Sequence, residues 1–286
     1  MTEKAYLDAL RDIIIHGELR KTRNANTISS FGVKIDFDIK NSFPLLTTKK
    51  MFFHGLLHEL LWFIKGDTNS KKLEEKSVNI WKANSTRAFL DKQDLVEYEE
   101  GDCGPIYGFQ WRHFNAQYRG HDHCYKGKGI DQLKNCIDLI KRDPFSRRIF
   151  MSAWNPCQNK EMCLPPCHIS YQFYVSKDDY LSCILTQRSG DMFLGIPFNI
   201  ASVALLVYII AHMTDKKPGN ISIMIGDAHI YDSHIGSVLT QLDREPYEFP
   251  TLRIKNKHEN IDDYVYEDFE IVDYVHHPAL REKMVE

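Results

Sequence analysis

Apolar residues along this chain recur at two different spacings, and the alternation between them limits the folds that the chain can adopt. Tyr6, Leu10 and Ile13 lie at helical spacing before Gly17, which predicts a first helix. Period-two alternation follows over Phe31 to Ile39 and predicts a strand with one buried face. Long helices combined with strands predict an α/β or α+β domain, built on a large and mostly buried mixed sheet that helices flank.

The same spacing rules predict the remaining elements. Apolar residues from Phe53 to Ile64 indicate a second helix that ends at Gly66 as a left-handed cap. Pro197 opens the most apolar helix in the chain, from about Phe198 to Met213. The other predicted elements are a helix over Ile130 to Ile140, a strand over Arg148 to Trp154, a hairpin of His168 to Val175 with Leu181 to Gln187, a strand over Ile221 to Ile225, a strand-to-helix corner at Gly226-Asp227, a helix from about His229 to Leu242, and short strands near Leu252 and Phe269.

Length and charge limit the class of protein. The chain has 286 residues, and we predict a single domain over residues 1–286 with a loop-rich insertion at about 83–129. A net charge of −3 argues against a general nucleic-acid binder, so we expect no DNA partner. The amino terminus lacks the apolar core of a signal peptide, and the longest apolar stretch, near 200–211, is too short to cross a bilayer. We therefore expect a cytoplasmic protein without a membrane partner, with the nucleus as a second location.

Cysteine usage bears on both redox state and catalysis. Seven cysteines without a regular framework favour reduced intracellular thiols over disulfides. Cys167 follows two prolines and precedes a predicted strand, and such rigid placement suits a nucleophile. A cysteine judged alone is more often a buried structural thiol, with odds of about two in three. His121, His123 and Cys124 lack the paired spacing of common zinc sites, so we predict no metal and a solvated histidine-rich loop.

Arginines near the ends of predicted elements form a candidate anion site. Arg188 and Ser189 fall at the end of the second hairpin strand, and Arg147 and Arg148 follow a helix end. Arginine forks match phosphate geometry, so several of them are able to hold one dianion. Taken singly, each arginine is more often a surface charge.

Other polar residues occupy positions that need a partner. Glu59 lies inside a strongly apolar helix, and Asn199 lies one turn inside another. Burying the Asn199 amide costs about 1–3 kcal/mol unless the backbone or a ligand forms hydrogen bonds with it. His229 and Tyr231 follow the predicted corner, where they either begin a helix or reach a ligand.

Several segments, taken in order and spacing, resemble the thymidylate synthase family. The most specific are LPPCH at 164–168, QRSGD at 187–191, GIPFNIAS at 195–202 and GDAHIY at 226–231. HELLW at 58–62, GPIYG at 104–108 and SRRI at 146–149 extend the resemblance, which covers the chain from about Tyr6 to the carboxyl end.

The resemblance implies a reductive methylation of dUMP to dTMP, with 5,10-methylenetetrahydrofolate as the one-carbon and hydride donor and dihydrofolate as the second product. Cys167 would form a covalent adduct at carbon 6 of the pyrimidine, and Arg188 would favour its thiolate form. Glu59 would handle protons through ordered water, supported by Tyr107 and His168. Asn199 would read the uracil edge.

The resemblance also implies binding roles and a homodimer formed sheet to sheet. The nucleotide would contact a set of side chains in which Arg147 and Arg148 come from the partner subunit: Arg23, Arg147, Arg148, His168, Gln187, Arg188, Ser189, Asp191, Asn199, His229 and Tyr231. The folate would contact a second set: Lys49, Ile80, Trp81, Asn84, Asp191, Leu194, Gly195 and Phe198.

Three alternatives to a synthase remain open from the sequence. A deoxycytidylate hydroxymethylase shares this scaffold but should carry an acidic residue at position 199, where this chain has Asn199. A nucleotide- or RNA-binding homologue with weak activity is motivated by the Arg23 to Thr27 segment, which lacks the family's usual glycine, and by the charged terminal Glu286. A cysteine hydrolase lacks support because no oxyanion-hole signature accompanies Cys167-His168.

Overall fold

A computed structural model describes residues 3–22 and 25–285. The helices in chain order are α1 Lys4–His16, α2 Phe53–Ile64, α3 Lys71–Glu74, α4 Arg87–Lys92, α5 Tyr107–His113, α6 Gln132–Arg142, α7 Gly195–Met213 and α8 Ile235–Leu242. The strands are β1 Glu18–Lys21, β2 Asn26–Asp38, β3 Phe150–Ser152, β4 His168–Val175, β5 Tyr180–Asp191, β6 Lys217–Tyr231, β7 Thr251–Ile254 and β8 Phe269–Val272. Short 3-10 turns include Ala83–Ser85 and Asp232–His234.

The chain divides into two compact units. Unit 1 contains Met1–Phe52, Ser176–Lys257 and Glu267–Glu286, and unit 2 contains Phe53–Val175 and His258–Tyr266. One domain over residues 1–286 remains our prediction, because a compact unit is not by itself an independently folding domain.

Unit 1 is built on a mixed sheet, as the sequence predicted. Its strands lie in the order β1-β2-β6-β5, with antiparallel pairing from β1 to β6 and parallel pairing of β5 with β6. Burial alternates along β2, where Ile35 and Phe37 are buried and Asp36 between them is half-buried. Helices α1 and α7 pack against this sheet. The structure confirms the mixed α/β class and the helices predicted before Gly17 and after Pro197.

Unit 2 is organised around α2, which ends at Ile64 and is followed by Gly66 with a φ of +65°, the left-handed cap that the sequence predicted. Helix α5 packs against α2 and α6. The close approach depends on Gly108, because a Cβ there would lie 2.2 Å from the Phe63 carbonyl oxygen. The sequence did not predict α5, since its first five residues are all buried and leave no periodic pattern.

The predicted insertion at 83–129 contains short pieces, as expected, together with α5. The buried Asp102 carboxylate organises it by accepting hydrogen bonds from the Tyr118 hydroxyl (2.5 Å) and the Gly104 amide (2.8 Å). The prediction of a solvated histidine-rich loop is wrong for His121, whose side chain is only 10% exposed and pairs with Asp122 at 2.8 Å. Residues 122–124 are exposed as predicted.

The largest difference between the predicted and the observed elements lies in strand β6. It continues through Gly226-Asp227 to Tyr231, so the predicted corner and a helix from His229 are wrong, and α8 begins only at Ile235. The reason is pairing on both sides, since β2 and β5 both hydrogen-bond to this stretch of β6. Ladder bonds from two neighbouring strands override the turn propensity of glycine and aspartate.

The bounds of three more elements differ from the prediction. Helix α7 begins at Gly195, before Pro197, and β5 continues past Gln187 to Asp191. Strand β3 is shorter than predicted and spans Phe150–Ser152.

The prediction that the longest apolar stretch, near 200–211, is too short to cross a bilayer is wrong for helix α7. It has 19 residues and is long and apolar enough to cross a membrane by length and composition alone. The most apolar 18-residue stretch of this helix is 72% buried inside the protein, which is typical of the core helix of a folded domain. Burial within the protein, rather than shortness, is what distinguishes α7 from a membrane span.

Candidate active site

Cys167 lies directly before β4 in unit 2 and is half-buried. No disulfide joins any of the seven cysteines, all of which the structure describes, as the sequence predicted. The amide of Cys167 donates a hydrogen bond to the Tyr107 hydroxyl oxygen at 2.8 Å. Tyr107 begins α5 with a φ of +23°, a conformation that costs roughly 1–3 kcal/mol for a residue with a side chain. The backbone that carries the thiol is therefore held by a residue that is itself under strain.

His168, the first residue of β4, belongs to the same group of side chains. Its buried ring lies edge-on to Tyr107, with centroids 5.3 Å apart. Its Nδ1 lies 2.7 Å from the Tyr171 hydroxyl. Two tyrosines thus fix the imidazole next to Cys167.

Glu59 projects from α2 with its carboxyl group surrounded by protein, although part of the side chain remains accessible. The Trp81 indole N–H donates to its Oε1 at 2.8 Å. Burial raises the pKa of Glu59 from 4.5 to about 7, and the Trp81 hydrogen bond opposes the rise in part. This carboxyl group is able to gain and lose a proton near neutral pH.

Aromatic rings join Glu59 to Tyr107, the residue that binds the Cys167 amide, within unit 2. The Trp81 ring meets the Tyr107 ring edge-on at 5.7 Å, and Phe63 stacks on Tyr107 at 4.9 Å. Sequence reasoning placed Trp81 on the folate side but missed its bond to Glu59 and the stacking of Phe63, because no local pattern links residues so far apart. Of the other predicted folate residues in this unit, Ile80 is half-buried beside Trp81, and Asn84 is half-buried in the 3-10 turn Ala83–Ser85.

Asn199 and Gln187 form a pair of amides in unit 1. Gln187 is buried on β5, and its Nε2 donates to the Asn199 Oδ1 at 3.1 Å. Among the described residues, the buried Oε1 of Gln187 accepts no hydrogen bond. An unsatisfied buried oxygen costs about 1–3 kcal/mol, so a polar ligand group or an ordered water at this place would be stabilising.

Asp191 ends β5 and stabilises the turn into α7. Its Oδ1 accepts hydrogen bonds from the amides of Phe193 (2.9 Å) and Leu194 (3.2 Å). The predicted folate residues Leu194, Gly195 and Phe198 are half-buried at the beginning of α7. Asp191 is thereby held beside these residues.

Lys49, a predicted folate residue, has an unusual environment for an amine. It is 4% exposed, its Nζ lies 3.7 Å from the Phe193 ring centroid, and it donates to the Phe193 carbonyl. Burial lowers the pKa of Lys49 from 10.5 to about 7, while the carboxylates of Asp191 and Glu3 oppose the change. Contact between this amine and the folate stays a prediction.

The predicted phosphate and sugar residues of unit 1 lie on neighbouring strands. Arg188 is exposed on β5 and Ser189 follows it. Ser189 pairs in register with Asp227 of β6, whose Oδ1 lies 3.2 Å from the His229 Nδ1. The Tyr231 ring lies 5.0 Å from the His229 ring.

A further arginine, Arg20 of β1, donates to Asp227 at 2.6 Å. The sequence did not predict this contact, because a charged residue on an edge strand is common and gives no specific signal.

Of the other predicted phosphate ligands, two belong to unit 2 and one lies outside the described residues. Arg147 and Arg148 are both exposed in the segment between α6 and β3 of unit 2. Arg23 and the terminal Glu286 lie outside the described residues, so their predicted roles stay predictions.

Nearly the whole chain is similar in sequence to known proteins. A sequence profile described as thymidylate synthase matches residues 4–286. Thymidylate synthase of Homo sapiens is 52% identical over 283 residues, which cover 99% of this chain and 90% of the human protein.

Two bifunctional dihydrofolate reductase-thymidylate synthases are also similar. The protein of Glycine max is 50% identical over 99% of this chain and 53% of its own length, and that of Leishmania major is 46% identical over 99% and 55%. The chain therefore spans about half the length of these bifunctional relatives. Because the family profile and the human relative both cover nearly the whole chain, the chain belongs to the thymidylate synthase family, which methylates dUMP to dTMP with methylenetetrahydrofolate as co-substrate.

Proposed function

We propose that this chain methylates dUMP to dTMP through a covalent bond between the Cys167 sulfur and carbon 6 of the pyrimidine. The observation that carries this proposal is the hydrogen bond from the Cys167 amide to the Tyr107 hydroxyl, which holds the thiol-bearing backbone at the start of β4. A nucleophile held rigidly loses little entropy when it reacts.

The chemistry divides between the chain and its two substrates. Addition of the Cys167 thiolate to carbon 6 makes carbon 5 nucleophilic, so that carbon 5 takes up the one-carbon unit. The folate supplies that carbon and then a hydride, and it leaves as dihydrofolate. The proton at carbon 5 leaves before the hydride arrives, and the carbon–sulfur bond breaks after it, which frees Cys167 for the next cycle.

Glu59 is our candidate for the group that moves protons. Its pKa of about 7 lets it exist in both protonation states at neutral pH. The Trp81 indole fixes one of its oxygens and leaves the other able to meet water or substrate. The accessible part of the side chain supports proton exchange through ordered water.

Asn199 is our candidate for reading the base. An amide offers one donor and one acceptor, which complement O4 and the N3 hydrogen of uracil. The Gln187 Nε2 donates to the Asn199 Oδ1 and so fixes which end of the amide is the acceptor. This arrangement favours dUMP over dCMP and argues against a hydroxymethylase.

We further propose a homodimer in which Arg147 and Arg148 of one subunit bind the phosphate held by the other. Both arginines are exposed and therefore available to a second molecule. In unit 1 the outer face of the sheet carries Ile184 (41% exposed) and Met224 (43% exposed), apolar side chains that a partner sheet would cover. We also propose a cytoplasmic protein, since α7 is largely buried in the protein itself.

Mixing two inactive variants tests the dimer. Arg147→Ala lacks the donated guanidinium and Cys167→Ala lacks the nucleophile, so a mixed dimer would contain one site with both groups intact. We expect activity to return when the two variants are mixed and allowed to exchange subunits. Continued inactivity of a mixture in which differently tagged subunits co-purify as mixed dimers would refute the donated arginine.

Dihydrofolate absorbance tests the reaction itself. The protein is mixed with dUMP and 5,10-methylenetetrahydrofolate, and we expect turnover that Cys167→Ala abolishes. Cys157→Ala, which removes an exposed cysteine, serves as the matched control and should retain activity. Turnover by the Cys167 variant would refute the nucleophile, and a binding protein without synthase activity would bind dUMP but form no dihydrofolate.

A further inference from the structure

Asp227 lies on β6 two residues before His229, and the function proposed above gives it no role. Alternate residues of a strand project from the same face, so both side chains lie on one face of the unit 1 sheet. The Asp227 Oδ1 lies 3.2 Å from the His229 Nδ1, and the Asp227 carbonyl oxygen lies 3.3 Å from the same nitrogen. The His229 side chain is only 12% exposed, so its ring has little room to turn away from these oxygens.

Arg20 holds the other oxygen of this carboxylate. Strand β2 lies between β1 and β6, and the Arg20 side chain reaches across it to donate from Nη1 to the Asp227 Oδ2 at 2.6 Å. The two oxygens of Asp227 thus have different partners. The side chains of Arg20 and Asp227 are 51% and 31% exposed, so the pair contributes little to stability, but it fixes the plane of the carboxylate.

The two oxygens of Asp227 that face His229 determine the tautomer of the neutral ring. A carboxylate oxygen and a carbonyl oxygen accept hydrogen bonds and donate none, so the ring hydrogen belongs on Nδ1. The Nε2 of His229 then carries a lone pair and is able only to accept. A hydroxyl group of a ligand satisfies such a nitrogen by donating its hydrogen, whereas an ether oxygen does not.

We propose that Asp227, held by Arg20, is a positioning residue that keeps the Nε2 of His229 as an acceptor for a sugar hydroxyl of the bound nucleotide. This inference rests on the proposed function, because it takes His229 as a contact of dUMP. Ser189, which we assign to the phosphate, pairs in register with Asp227, so the phosphate and hydroxyl contacts lie on neighbouring strands. The deoxyribose of dUMP has one free hydroxyl, at carbon 3, and the site then requires it as a donor.

Asp227→Asn tests the tautomer because of the Arg20 contact. The asparagine side chain has one oxygen and one NH2 group, and the cationic Arg20 binds the oxygen. The NH2 group then faces His229 and donates to Nδ1, so the ring hydrogen moves to Nε2, which no longer accepts. Adding Arg20→Met to Asp227→Asn frees the amide to turn its oxygen back to His229, and this double variant should regain the original tautomer.

Nitrogen chemical shifts of isotope-labelled histidine report the tautomer without substrate or turnover. The His229 signal is assigned from the spectrum of His229→Gln and is recorded at a pH at which the ring is neutral. We expect the hydrogen on Nδ1 in the wild-type protein and in the double variant, and on Nε2 in Asp227→Asn. Glu270→Gln is the matched control, because the Glu270 carboxylate also accepts from an arginine of another strand, Arg253 at 3.2 Å, and it should leave the His229 signal unchanged.

Calorimetric titration measures the consequence for nucleotide binding. We expect Asp227→Asn to raise the Kd for dUMP by about tenfold, the effect of losing one hydrogen bond of ordinary strength. The KM should rise with the Kd while kcat and Tm change little. The wild-type protein should bind the 3′-deoxy analogue of dUMP, which lacks the hydroxyl, about tenfold more weakly than dUMP. Asp227→Asn should bind this analogue as the wild-type protein does, because the contact that the substitution removes is already missing.

The possible outcomes are distinct. If Asp227→Asn weakens the binding of dUMP and of the 3′-deoxy analogue equally, Asp227 acts apart from the hydroxyl and the inference is overturned. A wild-type ring with its hydrogen on Nε2, or the same tautomer in wild type and in Asp227→Asn, would also overturn it. A protein that binds dUMP but forms no dihydrofolate would instead refute the proposed reaction, and the tautomer and the two affinities would still decide the role of Asp227.

Discussion

Replacing Glu59 by glutamine tests whether the protein environment tunes the carboxyl group that we assign to proton transfer. Glutamine keeps the size of the side chain and an oxygen that accepts from the Trp81 indole, but it has no ionisable group. A pKa raised from 4.5 to about 7 corresponds to about 3 kcal/mol, at ~1.4 kcal/mol for each pKa unit. Because part of the side chain remains accessible, we expect an effect of about 2 kcal/mol.

The sign follows from proton linkage. Below pH 4.5 the carboxyl group is protonated in both the folded and the unfolded chain, so its titration has no effect on stability. Above pH 7 it is ionised in both states, and the folded state carries the full cost of a desolvated charge. The wild-type protein therefore loses stability relative to Glu59→Gln as pH rises from 4.5 through 7.

Urea unfolding at pH 5 and pH 8, at one protein concentration, measures the effect. We expect Glu59→Gln to gain about 2 kcal/mol relative to wild type between the two pH values, and to lose about 100-fold or more of its turnover. Glu100→Gln is the control, since the Lys71 hydrogen bond lowers the pKa of Glu100. This carboxyl group is therefore ionised at both pH values, and the stability difference of Glu100→Gln should not change between them. A stability difference for Glu59→Gln that does not change with pH would refute the reasoning.

Three further predictions concern the rest of the site. Tyr107→Phe removes the hydroxyl that accepts from the Cys167 amide, and we expect kcat to fall by about tenfold with an unchanged circular dichroism spectrum; an unchanged kcat would contradict this role. Asn199→Asp replaces a donor by an acceptor beside Gln187, so the Kd for dUMP, measured by calorimetry, should rise by about 10- to 100-fold while dCMP binds better. Lys49→Met should be more stable than wild type below pH 7, with an advantage that disappears as pH rises toward 10.5, because burial lowers the pKa of Lys49 to about 7; urea unfolding at pH 6.5 and pH 9.5 checks the sign.

The sequence alone predicted the elements that have strong local periodicity. The α2 stripe with its Gly66 end, the alternating strand β2 and the apolar helix α7 all appear where the spacing of apolar residues indicated them. Their boundaries depend on residues a few positions apart, which is the range over which propensity and capping act. The motifs LPPCH and GIPFNIAS also indicated the family from the sequence alone, because each specifies both residue types and their order.

Long-range packing decided what the sequence could not determine. The bonds of Glu59 to Trp81 and of the Cys167 amide to Tyr107 join residues 22 and 60 positions apart, and no local pattern specifies such a pair. Strand β6 passes through Gly226-Asp227 because strands on both sides supply hydrogen bonds that outweigh local turn preference. The sequence by itself thus determined which side chains are available for catalysis. The pKa of Glu59, by contrast, depends on the desolvation that only the folded chain provides.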